Sequence, residues 1–330
     1  MSISPLVSVV IVTWNSKKYL SACLDALSAQ TIKDFEIVLM DNGSTDEGVL
    51  GLEEKYSDLK LTAKKLDHNL GFAVANNIGV RLARGQWLAL LNADAFPEPD
   101  WLERLLEAAQ TYPNAFFASR QIQADHPDVL DGEGDVYHVS GLAWRHNYGF
   151  PVYPLNESQE VFSPCGAAAF YPRQEFLDAG GFDEDYFSYH EDVDLGFRLR
   201  LRGLTCMLVP QAIVHHIGSA SAGKRSDFSV YFGHRNLVWT YFKDMPSGLF
   251  WLYLPLHIAI NFLFLIYFTI KGQGRAVWRA KMDALLGLPQ MIRKRHVVQC
   301  GRRVSTAEIH RVTSRNWLAP FIESVKRKSE

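Results

Sequence analysis

Residues 6–15 read LVSVVIVTWN. Almost every position is apolar and most are β-branched, with no alternation between an oily and a polar face. That is the pattern of a strand buried on both sides, as in a parallel sheet covered by helices. The run is too short to span a bilayer. The N-terminus also lacks the basic region and long apolar core of a secretory signal, so no signal peptide is expected. Outward from this strand, Leu20, Cys23, Leu24 and Leu27 fall at helical spacing, and FEIVLMD (35–41) reads as a second buried strand ending in Asp41. A turn-rich NGSTDEG leads to a helix-like segment near 48–57. LKLTAK (59–64) is a short strand, and GFAVANNIGVRLARG (71–85) reads as a helix closed by Gly85. WLALLNAD (87–94) is a further strand, and Asp100 with Glu103 fits a capping box before WLERLLEAA.

Strand alternating with helix predicts an α/β fold with a doubly wound, Rossmann-like sheet. Ligands of such sheets bind beyond the carboxyl ends of the strands, where Asn15, Asp41 and Asp94 fall. Residues 116–172 mix Gly, Pro and aromatic residues and read as strands and hairpins.

The composition is that of a globular protein: 330 residues, 48% hydrophobic and 21% charged, net charge −2. The charge is uneven. From Lys271 onward there are 14 Lys and Arg against 4 Asp and Glu, leaving a net −12 on the first 270 residues. A basic tail implies an anionic partner. Just before it, LFWLYLPLHIAINFLFLIYFTI (249–270) contains no formal charge, with Pro255, His257 and Asn261 as interruptions. Its length suits a bilayer span, its aromatic residues suit an interface, and a buried core helix would also fit. Membrane contact at an interface is the favoured expectation, with phospholipid rather than nucleic acid as the anion. Cys23, Cys165, Cys206 and Cys300 are dispersed, which fits a reducing compartment better than a disulfide framework or zinc site.

Several positions carry chemistry-bearing side chains. Asp41 opens DNGSTD; a surface turn would explain that run, but so would a carboxylate accepting from a pyrimidine N–H or ribose hydroxyls. In LNADA, Asn92 and Asp94 are two apart, on one face of an extended chain, and a hard cation held by Asp94 plus substrate phosphates is chemically reasonable. SYHEDVDLGFRLRLRG (188–203) sets Glu191, Asp192 and Asp194 at the start of a helical run that Gly203 terminates. Carboxylates are favoured at a helix N-terminus, and one presented from a loop is also placed to act as a base. His215 and His216 follow an apolar run and are either edge histidines or a metal partner for Asp94. There is no G-x-G-x-x-G, Walker loop, G-x-S-x-G or H-E-x-x-H, which argues against a dehydrogenase.

Taken in order, VSVVIVTWN, DNGSTD, NLGFAVANNIGV, LLNADA, GGFDEDYFSYHEDVDLGFRLRLRG and VHHIGS resemble the inverting family-two glycosyltransferases of GT-A fold, most closely the bacterial rhamnosyltransferase-like branch. The match spans about residues 6–245, and YFGHRNLVWTYFKDMP resembles the segment that follows the catalytic domain in that branch. The resemblance implies a GT-A domain over 1–245, an apolar helical, membrane-associating extension with a basic tail over 246–330, and sugar transfer from a nucleotide donor to an acceptor hydroxyl with inversion. It implies that Thr13, Asn15 and Asp41 hold the nucleotide and that Asn69, Gly71 and Asn77 border the donor pocket. Asp94 would ligate Mg²⁺ or Mn²⁺, Asp192 would be the base with Glu191 orienting the acceptor, and His215 would aid the metal or diphosphate, with His216 as the alternative. The family often has two aspartates in the metal motif; here Asn92 stands in the first place. The expected donor is dTDP-rhamnose, with another nucleotide sugar such as a UDP-sugar as the alternative. The acceptor is a cell-envelope glycan or lipid-linked sugar at the cytoplasmic face of the membrane. A catalytically silent glycan- or nucleotide-binding module is the rival class.

Overall fold

The computed structural model describes residues 4–218 and 226–316. The strands are β1 (Val7–Thr13), β2 (Phe35–Asp41), β3 (Leu61–Lys65), β4 (Trp87–Asn92), β5 (Ala95–Pro97), β6 (Ala115–Gln123), β7 (His126–Gly132), β8 (Asp135–Tyr137), β9 (Ala143–Arg145), β10 (Gln159–Glu160), β11 (Ala168–Pro172) and β12 (Thr205–His216). The helices are α1 (Lys17–Ser28), α2 (Leu52–Lys55), α3 (Phe72–Leu82), α4 (Trp101–Thr111), α5 (Arg173–Asp178), α6 (Glu191–Leu201), α7 (Asp227–Asp244), α8 (Ser247–Phe268), α9 (Gly274–Cys300) and α10 (Thr306–Val312). The main sheet runs β10-β12-β6-β11-β4-β1-β2-β3, with β5 on β12 and β7 on β6.

The expected parallel half is present: β1 lies parallel to β2 and β4, and β2 to β3. Beyond β4 the sheet is mixed, because β11 runs antiparallel to both β4 and β6. Register sets the functional edge. Thr13 pairs with Asp41 and Val12 with Asn92, so three strands end together.

Alternation along β1 divides the core into two layers. Val9 and Ile11 pack with Leu20, Leu24 and Leu27 of α1 and with Leu102 and Leu105 of α4. Val10 packs on the other side, with Val80 of α3, Phe176 of α5 and Leu195 and Leu199 of α6. Two local expectations need correction. Gly85 does not close α3, which ends at Leu82; Gly85 instead lets the chain approach β1, where a Cβ would lie 2.4 Å from the Ser8 nitrogen. No capping box forms at α4, because Asp100 accepts from Arg104 Nε (2.9 Å) and Glu103 from Thr31 Oγ1 (2.8 Å).

The C-terminal helices share a core with α6 and α7. Phe197, Leu201, Tyr241, Leu249, Phe250 and Ile309 form one buried cluster. Beneath it the Lys243 ammonium, 1% exposed, meets Asp183 (2.6 Å) and Asp194, and Asp194 also takes Arg198 (2.6 Å). Asp194 is therefore a structural anchor joining α6 to α7. Breaking one member of such a buried network leaves uncompensated charge, at a cost of several kcal/mol.

The apolar segment 249–270 falls in α8 up to Phe268 and in the π-helical turn that follows, and the helix is long and apolar enough to cross a membrane. Its polar interruptions face inward. His257 is buried, hydrogen-bonded through Nδ1 to the Ser140 carbonyl (2.7 Å) and stacked on Tyr241. Asn261 accepts from Lys281 of α9. The opposite face is apolar and open: Trp251 (69% exposed), Leu252, Ile258, Phe262 and Ile266, continued on α9 by Trp278, Leu285 and Leu286 (74%).

Candidate active site

The carboxyl ends of β1, β2 and β4 open onto a cleft of about 700 Å³, closed on its far side by the approach to α6. Asp41 is 1% exposed. Its Oδ1 accepts the Ser44 N–H (2.8 Å), while Oδ2 has no hydrogen-bond partner and Lys65 Nζ stands 3.8 Å away. A buried carboxylate oxygen without a donor is costly unless a ligand supplies one. Asn15, with φ 52°, braces the same turn: its N–H reaches Ser44 Oγ (2.9 Å) and its Oδ1 accepts the Thr45 N–H (2.9 Å). Thr13 accepts the Asn42 N–H through its carbonyl (2.9 Å). Thr13, Asn15 and Asp41 thus converge on one turn beside the cleft.

Asn42 then fixes the next wall. Its amide donates to Asn69 Oδ1 (2.9 Å) and the Gly71 carbonyl (3.2 Å), and Asn69 Oδ1 also accepts the Gly71 N–H (2.8 Å). Gly71 has φ +89°, and a Cβ there would lie 2.6 Å from the Phe187 ring, so only glycine fits. Asn69 and Gly71 line the cleft as expected; Asn77 does not. It lies on the other side of α3, bonded to the Phe182 carbonyl (2.8 Å) and N–H (3.0 Å), and staples α3 to the loop ahead of α6.

Asn92 and Asp94 both line the cleft, together with His216. His216 Nε2 is 3.4 Å from Asp94 Oδ1 and 3.5 Å from Asn92 Nδ2. Adjacent residues of a strand face opposite ways. His215 accordingly points out of the cleft, with Nε2 2.8 Å from Glu98 Oε1, and the geometry favours the alternative His216. Burial alone would raise the Asp94 pKa, but the His216 contact outweighs it and holds the carboxyl below its ordinary range. Burial would lower His216, yet its bonds to Asp131 and Asp94 raise it.

Ahead of α6, Phe187, Tyr189 and His190 all adopt left-handed backbone, with φ of 65°, 69° and 66°. Such geometry costs of order 1–3 kcal/mol per residue and persists only when surroundings impose it. Asn236 of α7, fully buried, does so: its amide reaches the carbonyls of Tyr186 (3.0 Å), Ser188 (3.0 Å) and Tyr189 (2.7 Å). The result presents Glu191 and Asp192 to the cleft. Asp192 Oδ2 accepts the Gly166 N–H and Oδ1 its neighbour's, Val193 (both 2.8 Å). Burial raises the Asp192 pKa, although those amides and Arg145 oppose the rise. Glu191 is pushed well above its usual range by burial and then by the Asp192 charge.

Asp131, Asp135 and Arg145 were not singled out by the sequence. Asp135 and Arg145, on the small β8–β9 hairpin, line the cleft; Arg145 ion-pairs with Asp131, which sits behind His216. Burial and the Asp192 charge push Asp135 well above its usual range. Their stretch has no clear periodicity, and only the Gly-rich acidic run LDGEGD hints at a turn.

A sequence profile of glycosyl transferase family 2 matches residues 8–177, about half of the chain. The chain belongs to glycosyl transferase family 2. Among curated relatives of this glycosyltransferase is the N-acetylglucosaminyl-diphospho-decaprenol L-rhamnosyltransferase of Mycobacterium tuberculosis, 29% identical over 77% of this chain and 88% of that protein. Among solved structures, the mannosyltransferase PcManGT of Pyrobaculum calidifontis, in complex with GDP-Man and Mn²⁺, superposes with TM-score 0.56 at 19% identity, covering 91% of this chain and 86% of that one. The fragment TarS 1-349 of S. aureus in complex with UDP-GlcNAc gives TM-score 0.57 at 18% identity, covering 93% of this chain and 92% of that fragment. These similarities establish the GT-A-like mixed sheet of the family-two enzyme.

Proposed function

We propose that this family-two glycosyltransferase moves a sugar, with rhamnose from dTDP-rhamnose favoured, onto a hydroxyl of a lipid-linked or cell-envelope glycan acceptor, with inversion and with help from a divalent cation. The observation that carries the reading is one cleft with two chemically distinct poles: Asp94 with His216, and Asp192 with Glu191. The Mycobacterium tuberculosis relative, named for a rhamnosyl transfer to a lipid-linked N-acetylglucosamine, supports the choice of donor and acceptor.

The first pole fits a cation. Asp94 Oδ1 and His216 Nε2 stand 3.4 Å apart, close to the roughly 3 Å that separates neighbouring ligands of one octahedral ion. Among the described residues no group of three His, Cys, Asp or Glu side chains could hold a metal. A hard ion at this pole would take its other ligands from the donor phosphates. Mg²⁺ or Mn²⁺ held there would neutralise charge growing on the departing diphosphate. Asp41, whose buried Oδ2 accepts no hydrogen bond and meets only the Lys65 ammonium, suits the nucleoside's N–H or O–H groups. At the other pole Asp192 takes the acceptor proton as the new bond forms. Glu191, held toward its neutral form, can donate to the acceptor and orient it.

The chemistry is tested by acceptor-dependent release of nucleoside diphosphate across a panel of nucleotide sugars, with lipid-linked N-acetylglucosamine as acceptor. Fastest release from dTDP-rhamnose is expected. A faster UDP-sugar would change the donor, and no release from any donor would overturn the enzyme reading.

The open apolar face of α8 and α9 supports attachment to a membrane surface, with the cytoplasmic leaflet as its anionic partner. Residues 317–330 of the basic tail lie outside the described residues; Lys271, Arg275 and Arg279 lie at the α8–α9 turn. Each large apolar side chain buried in lipid contributes about 1.5–3 kcal/mol. The full chain is expected to co-sediment with anionic liposomes, and a Trp251→Glu, Ile258→Glu, Phe262→Glu variant to lose more than about tenfold in partitioning. Equal sedimentation of both, or none by the wild type, would refute the surface. Truncating the chain before α8 is a poor test, because Leu249 and Phe250 are part of the buried cluster with α7.

A further inference from the structure

Resting on the reading that Asp94 and His216 face the cation and diphosphate, we infer that Asp131 is a positioning residue that fixes the ring and the proton of His216. Asp131 Oδ2 lies 2.7 Å from His216 Nδ1, and both side chains are almost wholly buried. The two residues are 85 apart in sequence and meet because β6 lies between their strands, pairing with both β7 and β12. The opposite ring nitrogen, Nε2, is the one that faces Asp94 and Asn92.

A carboxylate can only accept at Nδ1, so that nitrogen must carry the hydrogen. Nε2 is then the nitrogen whose lone pair is available to a cation, once any proton there has left. A ring without this partner could rotate, or place its single hydrogen on Nε2 and block the approach. Asp131 is itself held. Arg145 ion-pairs with it from β9 while also lining the cleft, so one guanidinium braces the carboxylate that orients His216. This differs from a purely structural Asp131–Arg145 pair. A structural pair would affect stability only; a positioning pair also determines which nitrogen of His216 carries hydrogen.

The test uses the full chain as wild type, Asp131→Asn and Asp94→Ala, with Mn²⁺ binding read by electron paramagnetic resonance in the presence of dTDP. Long-range ¹H–¹⁵N spectra of the metal-free protein report the His216 ring, assigned by its disappearance in His216→Gln. Asp131→Asn is expected to retain the wild-type circular dichroism, to bind Mn²⁺ about 10–100-fold more weakly, and to move the slowly exchanging, downfield Nδ1–H signal of wild type upfield with faster exchange, because an amide oxygen is a weaker acceptor than a carboxylate. Unchanged Mn²⁺ affinity with an unchanged His216 signal would overturn the role of Asp131. Should Asp131→Asn fail to fold, the wild-type spectrum still decides: hydrogen absent from Nδ1 overturns the proposal, and a protected Nδ1–H upholds it. Wild type that binds no Mn²⁺, or Asp94→Ala that binds it normally, would sink the cation reading instead, leaving the Nδ1–H signal to judge Asp131 by itself.

Discussion

Asp192→Asn is expected to lower turnover by about 10³-fold while leaving nucleotide binding and thermal stability close to wild type. The amide is nearly isosteric, and one oxygen can still accept the Gly166 N–H, so the loop ahead of α6 should hold. What disappears is the role proposed for the carboxylate, removal of the acceptor proton, together with one of its two backbone hydrogen bonds. The same group sets a pH dependence. Burial raises the Asp192 pKa, and only the ionised form can act as base. Turnover should therefore rise with pH through that elevated pKa, with its acid limb above the range of an ordinary aspartate. Near wild-type turnover in Asp192→Asn, or an acid limb at an ordinary aspartate's position, would remove Asp192 from the base role.

Asp94→Ala is expected to cost about 10²–10³-fold in turnover, matched by the loss on adding chelator to wild type, and to be little affected by chelator thereafter. Asp94 is the carboxylate at the His216 pole, and Asn92 beside it carries no charge. On the proposed reading, a cation held by this one carboxylate would take its remaining ligands from the donor phosphates. Nucleotide should then bind Mn²⁺-dependently in wild type and Mn²⁺-independently, and more weakly, in Asp94→Ala. Full wild-type activity in chelator would show a metal-free reaction in which His216 and Arg145 meet the diphosphate charge directly.

The fold is legible in the sequence where local pattern and tertiary environment agree. The apolar runs at β1, β2 and β4 could be stable only as covered strands, so the edge carrying Asp41, Asn92 and Asp94 followed from them. It is not legible where a side chain's direction depends on distant registry. His215 and His216 are indistinguishable in sequence. The β12 register shifts between Val209 and Ile213 against β6, so alternation cannot be carried through from the buried run before it. Asn77 sits on a helix whose apolar stripe is read easily, but which polar face meets the 182–184 loop is a tertiary fact. Asp131 comes from β7 at the side of the main sheet and Asp135 and Arg145 from the separate β8–β9 hairpin, and their neighbours carry no periodic signal. The polar residues of 249–270 weakened the membrane pattern in sequence; in the fold His257 and Asn261 face the protein, leaving the outer face of α8 uninterrupted.

The proposed roles of the two poles require a single displacement, with the acceptor oxygen attacking opposite the departing diphosphate. The most direct test is the anomeric configuration of the transferred sugar, read by NMR on the product formed by wild type from a donor of known configuration. The product is expected to carry the configuration opposite to that of the donor, and Asp192→Asn to form almost none. A product that keeps the donor's configuration would contradict it, because Asp192 could not then be the base of one in-line displacement.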